Sequence, residues 1–200
     1  MSKGSRQYER RKWRTLTDAG KMMRPFDVLF DLAEGKVNLL GNRTVRRYSD
    51  VKHIFHEIDP KLERENPIIY EVFEAPIAEK EGDLMFLITL LYPGRVKNEF
   101  FMTKGHYHVF ENTAEVYLGL KGKGLVLCQT RNGDFESHEI CPNKVVYIPP
   151  YWAHRAVNTS SELLVFFGVY PAHAGHDYKS VEAEGFKKRV FFENDKICIR

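Results

Sequence analysis

Thr103-Lys-Gly-His-Tyr-His-Val-Phe-Glu-Asn-Thr-Ala-Glu-Val-Tyr117 carries two histidines one residue apart and a glutamate seven positions after the second. In an extended segment, residues two apart point the same way, so His106 and His108 can reach one ion. Glu115 opens the next apolar-alternating run, on a face shared with Tyr117 and Gly119. A short loop can bring it beside the imidazoles. A fourth donor stands in Pro149-Pro-Tyr-Trp-Ala-His-Arg-Ala-Val-Asn158, where His154 follows a Pro-Pro turn. His106, His108, Glu115 and His154 form a nitrogen-and-oxygen set that suits a divalent transition ion rather than magnesium or calcium. Iron, manganese, nickel and zinc are the candidate ions.

Outward from this stretch the chain reads as strands. Ile68–Phe73, Leu84–Tyr92, Ala114–Leu120, Gly124–Gln129, Lys144–Ile148 and Glu162–Val169 are rich in β-branched and aromatic residues and are punctuated by Gly and Pro. Asn132-Gly133 signals a type I′ hairpin turn. One short helix is expected over Asp50–Glu57, capped by Ser49 or Asp50. Many short strands at even spacing predict an all-β antiparallel barrel or jelly roll with a few short helices.

The 200 residues are 43% apolar and 28% charged with a formal net charge of +3, which fits one globular domain and excludes a wholly disordered chain. The basic opening Ser5–Arg14 reads as a solvated arm over residues 1–24, ahead of a single domain at 25–200. The main body has no clustered basic face, so no nucleic-acid partner is expected. The apolar runs are too short to span a bilayer, so no membrane partner is expected either. Three well-separated cysteines without a CxxC pair imply neither a disulfide framework nor a zinc knuckle, and a cytoplasmic setting is expected.

His-x-His, then Glu115, then Gly122 resembles the first cupin motif. Pro149, His154 and Asn158 resemble the second, with Asn143 at a turn position that is often glycine. The step from His108 to Glu115 is longer than in most cupins. With Leu91–Gly94, Phe100–His106, Pro149–Arg155 and Tyr170–Tyr178, it resembles the cupin-type glucose-6-phosphate isomerases of archaea, from about Pro25 to Phe192.

That resemblance implies a cupin double-stranded β-helix, one divalent metal per subunit, a homodimer and a phosphorylated hexose as substrate. The implied reaction interconverts glucose 6-phosphate and fructose 6-phosphate by a cis-enediol proton transfer or a hydride shift. Glu115 is then both a ligand and the base, and His176 serves ring opening. Thr89, Thr103, Gly105, Tyr170 and Tyr178 fall at substrate-binding positions. Lys104 adds charge toward the phosphate, and Tyr117 shares the Glu115 face. His173 stands where the family carries Asp, so no role is assigned to it. A three-histidine, one-glutamate cupin also suits a metal-dependent dioxygenase, and a sugar-binding cupin without activity is the other alternative.

Overall fold

The computed structural model describes residues 24–31, 36, 37 and 41–200. Residues 1–23, nearly all of the expected arm, lie outside the described residues.

The described residues form fifteen strands and three short helices. Strands β1 (Phe30–Asp31) and β2 (Lys36–Val37) pair as a ribbon. Strand β3 (Arg43–Arg47) leads into helix α1 (Tyr48–Val51), a 3-10 turn (Lys52–Ile54) and helix α2 (Pro60–Glu65). Strands β4 (Ile68–Glu74) and β5 (Leu84–Leu91) follow, then the short β6 (Arg95–Val96) and β7 (Glu99–Phe100). Five longer strands come next: β8 (Glu115–Lys121), β9 (Gly124–Thr130), β10 (Phe135–Ile140), β11 (Val145–Ile148) and β12 (Trp152–Asn158). Strand β13 (Leu164–Pro171), helix α3 (Tyr178–Glu184), β14 (Val190–Glu193) and β15 (Lys196–Ile199) complete the chain.

Six strands form one antiparallel sheet in the order β11-β8-β13-β5-β4-β3. A second sheet, β10-β9-β12, is extended by bridges from Met102 to Val157 and from His106 to His154. A four-stranded sheet of short strands, β15-β14-β7-β6, adjoins it where the chain leaves β7 and the Asn158 amide donates to the Phe101 carbonyl. The alternation along the strands explains why the sheets close on one another. On β8, Glu115, Tyr117 and Gly119 are buried while the residues between them are half-buried. The main core includes Tyr48, Ile69, Leu91, Val126, Ile140 and Phe166. At roughly 1.5–3 kcal/mol for each large apolar side chain taken out of water, this cluster is the dominant favourable contribution to folding.

Asn158 shows why the second motif ends on an amide. Fully buried at the end of β12, its Nδ2 donates to the Leu91 carbonyl at 2.9 Å and to the Glu162 carbonyl at 2.8 Å. Its Oδ1 accepts from the Ser160 amide at 3.0 Å. One side chain thus ties β5, β12 and the turn into β13. Asn143 has φ 67, the left-handed backbone expected of a residue standing where glycine is common. Gly122 has φ 72, and a Cβ there would sit 2.5 Å from the Leu163 carbonyl oxygen.

Two local expectations are corrected. The helix expected over Asp50–Glu57 starts earlier, with Arg47 as N-cap, and yields to the 3-10 turn after Val51. Asp50 does cap, but from inside the helix, accepting from the Arg47 amide at 2.8 Å. Phe55 then turns extended, and its buried ring lies 6.0 Å from that of Tyr48. Asn132-Gly133 does not make a type I′ turn, because Gly133 (φ 107) has a positive φ and Asn132 does not. Thr130 sets the turn instead: its carbonyl accepts from Gly133, and its hydroxyl donates to Asp134 at 2.8 Å.

Candidate metal centre and adjoining cavity

The ligand atoms of His106, His108, Glu115 and His154 all lie within 4.8 Å of one another, and all four residues are buried. They come from three features of the fold, the segment before β8, β8 itself and β12. His106 and His108 sit on the extended segment before β8, and a two-way backbone bridge sets His106 against His154, with N···O distances of 3.2 and 3.1 Å. Tyr107 points the other way into the core, its ring covered by the Arg131 guanidinium at 4.2 Å. Gly105 shapes the approach. Its φ is 76, and an added Cβ would lie 2.9 Å from Arg155 Cβ and 3.0 Å from the His154 carbonyl oxygen.

The donor chemistry fits a cation. His108 Nδ1 faces the Thr113 carbonyl at 3.1 Å and the Thr113 hydroxyl at 2.8 Å, while that hydroxyl donates to the Phe110 carbonyl. A carbonyl only accepts, so Nδ1 carries a proton and Nε2 is the nitrogen that faces the cluster. Nε2 lies 3.1 Å from Glu115 Oε2, and His154 Nε2 lies 2.9 Å from the same oxygen. A carboxylate and imidazole nitrogens crowded together in a buried site suit a positive ion between them. Glu115 Oε1, His106 Nε2 and both ring nitrogens of His154 are buried without a hydrogen-bond partner among the described residues.

The electrostatics of the metal-free chain point the same way. Burial holds the His106 imidazole well below its usual range, helped by His154, His176 and His108, so the ring is neutral and its nitrogen free to ligate. Burial alone would raise the Glu115 carboxyl, but His154 and the hydrogen bond from His108 outweigh it and bring the group down to about 2. It is therefore an anion at any ordinary pH.

Beside these ligands opens a cavity of about 260 Å³, lined among others by Thr89, Thr103, Lys104, Gly105, His176 and Tyr178, with Tyr117 and two of the ligands, His106 and His154, in its wall. Tyr170 lies just behind, its ring 5.4 Å from His176 and 6.1 Å from His108. His176 packs 4.4 Å from His106 and stacks on Tyr178 at 5.7 Å. Burial pushes His176 down to about 4 and lifts the Tyr117, Tyr170 and Tyr178 phenols well above their usual range, so all four are neutral donors or acceptors. The Thr103 hydroxyl accepts from the Ala156 amide at 3.0 Å. Arg155, 3% exposed, donates to the Lys104 carbonyl at 2.6 Å and lies over the Phe186 ring at 4.1 Å, which fixes the Thr103–Gly105 loop from behind.

Lys104 lines the cavity, but its ammonium is engaged by Glu182 and lies 5.1 Å over the Tyr178 ring. His173 stands outside the cavity lining, its ring 5.5 Å from Phe110. The wall also holds Thr44, Arg46, Tyr70 and Val72, which sequence reading did not single out. The available signal was the alternation of β4, whose Val72 pairs with Thr89 and whose Tyr70 therefore faces the same side.

A closed pair of antiparallel sheets with three imidazoles and a carboxylate converging between them defines a metal-site protein of the cupin superfamily. The family model described as "Glucose-6-phosphate isomerase (GPI)" matches residues 45–200, and the chain belongs to that family. A glucose-6-phosphate isomerase of Thermococcus gammatolerans is 49% identical over 178 residues, 88% of this chain and 94% of that one. The Thermococcus litoralis protein of the same name is 46% identical over 183 residues, 90% and 96% of the two chains. The likeness reaches bacteria: the Sinorhizobium medicae glucose-6-phosphate isomerase is 35% identical, covering 85% of this chain and 82% of its own.

Proposed function

We propose that this chain interconverts glucose 6-phosphate and fructose 6-phosphate, with one divalent transition metal held by His106, His108, Glu115 and His154. The observation that carries the reading is the opening of this four-donor cluster onto a cavity lined by hydroxyls and a glycine amide. Membership of the isomerase family supports it.

When bound, the ion supplies Lewis acidity toward the oxygens of the two carbons between which hydrogen moves. The chain's own groups do the rest. Glu115 Oε1, without a hydrogen-bond partner, is the oxygen able to take a proton from one carbon and return it to the next through a cis-enediol. Oε2 stays with the imidazoles. His176, Tyr178 and Tyr170 present neutral donors and acceptors for ring opening and for the sugar hydroxyls. Thr89, Thr103 and the Gly105 amide offer neutral donors to the phosphate end.

Glu115 is a weak base, because the groups that hold it as an anion also lower its proton affinity. A direct hydride shift avoids that difficulty. Full retention at C1 of a deuterium placed at C2, with no exchange into solvent at low conversion, would exclude the proton route.

The reading extends to iron as the working ion, one domain over residues 25–200, a homodimer and a cytoplasmic setting. No helix among the described residues is long and apolar enough to cross a membrane. The test is a coupled isomerase assay on chelator-stripped protein, reloaded with one metal at a time. Activity should vanish on stripping and return with iron or a near neighbour; activity indifferent to metal would overturn the reading.

A further inference from the structure

A phosphate monoester carries about −1.5 to −2 charge at neutral pH, and neutral hydroxyls alone do not balance it. Two basic side chains other than histidine line the cavity, Lys104 and Arg46. Lys104 is already spoken for. Glu182 on α3 pairs with its ammonium, and His53 lies 3.6 Å from the same carboxylate. An ammonium neutralised in this way contributes little net field to the cavity.

Arg46 differs. It lies on β3, directly opposite Tyr70 on β4, and stands exposed at the cavity rim. Its neighbours on the strand have other partners: Arg43 is bound to Glu71, and Arg47 donates to the Asn66 carbonyl at 3.0 Å. Among the described residues no carboxylate lies within ion-pair distance of Arg46. The strand pairing instead sets its side chain beside the buried Tyr70 phenol, on which its charge acts. It shares the cavity wall with Thr103, Lys104 and Gly105. A planar guanidinium is the side chain best matched to phosphate oxygens.

We propose that Arg46 supplies the counter-charge for the substrate's phosphate and thereby selects phosphorylated over unphosphorylated sugars, while the Lys104 ammonium is taken up in its ion pair with Glu182. The assignment rests on the isomerase reading above for its substrate, and on the wall of the cavity for its residue.

The experiment compares the wild-type holoenzyme with Arg46→Gln, Arg46→Lys and the double variant Arg46→Gln/Glu182→Gln. It measures kcat, KM for glucose 6-phosphate and the inhibition constant of inorganic phosphate at low and moderate ionic strength. Loss of one charged hydrogen-bonding partner should raise both KM and the phosphate inhibition constant about tenfold to a hundredfold. The same loss should leave kcat within about threefold and flatten the salt dependence. Arg46→Lys should recover part of the affinity, and so should the double variant, because it releases Lys104.

Unchanged KM and phosphate inhibition in Arg46→Gln would overturn the assignment, as would a fall in kcat at constant KM. If Arg46→Gln does not fold, Arg46→Lys decides: its KM and phosphate inhibition constant must rise above wild type, and their equality with wild type overturns the assignment. If the wild-type chain proves inactive on glucose 6-phosphate, the isomerase reading fails. Calorimetric binding of inorganic phosphate then still tests Arg46, which fails if wild type and Arg46→Gln bind alike.

Discussion

His154 Nε2 lies 2.9 Å from Glu115 Oε2, with both side chains 1% exposed. The two come from different sheets, β12 and β8, so the approach joins the halves of the barrel through polar atoms in its interior. Such an arrangement is stable only if something balances the buried carboxylate.

His154→Ala should therefore lose metal and activity together. Disturbing even an outer partner of a metal ligand costs roughly 10–100-fold, and loss of a ligand should exceed that. Metal content by mass spectrometry and kcat on the same sample provide the check. Full metal with unchanged kcat would contradict the site.

Thr113 orients His108 through a carbonyl at 3.1 Å and a hydroxyl at 2.8 Å. Thr113→Val removes the second contact and keeps the first. Metal affinity should fall by about tenfold while the fold persists, as read by competition with a chromophoric chelator.

Thr103→Val is a compound change. The hydroxyl faces the cavity but also accepts from the Ala156 amide at 3.0 Å. KM should rise, and the stranded amide should lower stability by about 1–3 kcal/mol. Thr103→Ser should restore both, measured by kinetics alongside thermal unfolding.

Acid should destabilise the metal-stripped chain in two stages. Burial holds His106 well below the ordinary imidazole range and brings His176 to about 4, so below about pH 6.5 the unfolded chain binds more protons than the folded one. Stability then falls as pH drops. Glu115, depressed from 4.5 to about 2, contributes stability that is fully present above pH 4.5 and is lost as pH falls toward 2. Both effects have the same sign. Thermal unfolding of the stripped protein should show a plateau above neutrality and a steepening decline below it; a flat profile down to pH 4 would contradict the assignment.

The four clustered donors were legible in the sequence because each sits in a short pattern whose geometry is local. His106 and His108 share a face by strand alternation, Glu115 opens β8, and His154 follows the Pro-Pro turn. Most of the longer strands were legible for the same reason. Helix α2 was not, although Asp59-Pro60 carries both an N-cap and a first-turn proline. The polar and charged residues of α2 left no apolar stripe to follow, and none of them is buried. Arg46 and Tyr70 at the cavity rim were hidden more deeply. They meet through the pairing of β3 with β4, and Lys104 meets Glu182 through the docking of α3. Those are tertiary facts with no local pattern.

The bridge between His106 and His154 also bears on the order in which the molecule forms. The metal donors become neighbours only after the segment before β8 has been zipped against β12, a pairing of stretches far apart along the chain. Long-range pairings of this kind close late, because the entropy of the intervening loop must be lost first. A metal-sensitive signal followed during refolding would then report the completion of the barrel and lag behind the appearance of β-structure. An ion bound there would act as a latch on a finished assembly, slowing its opening more than it speeds its closure.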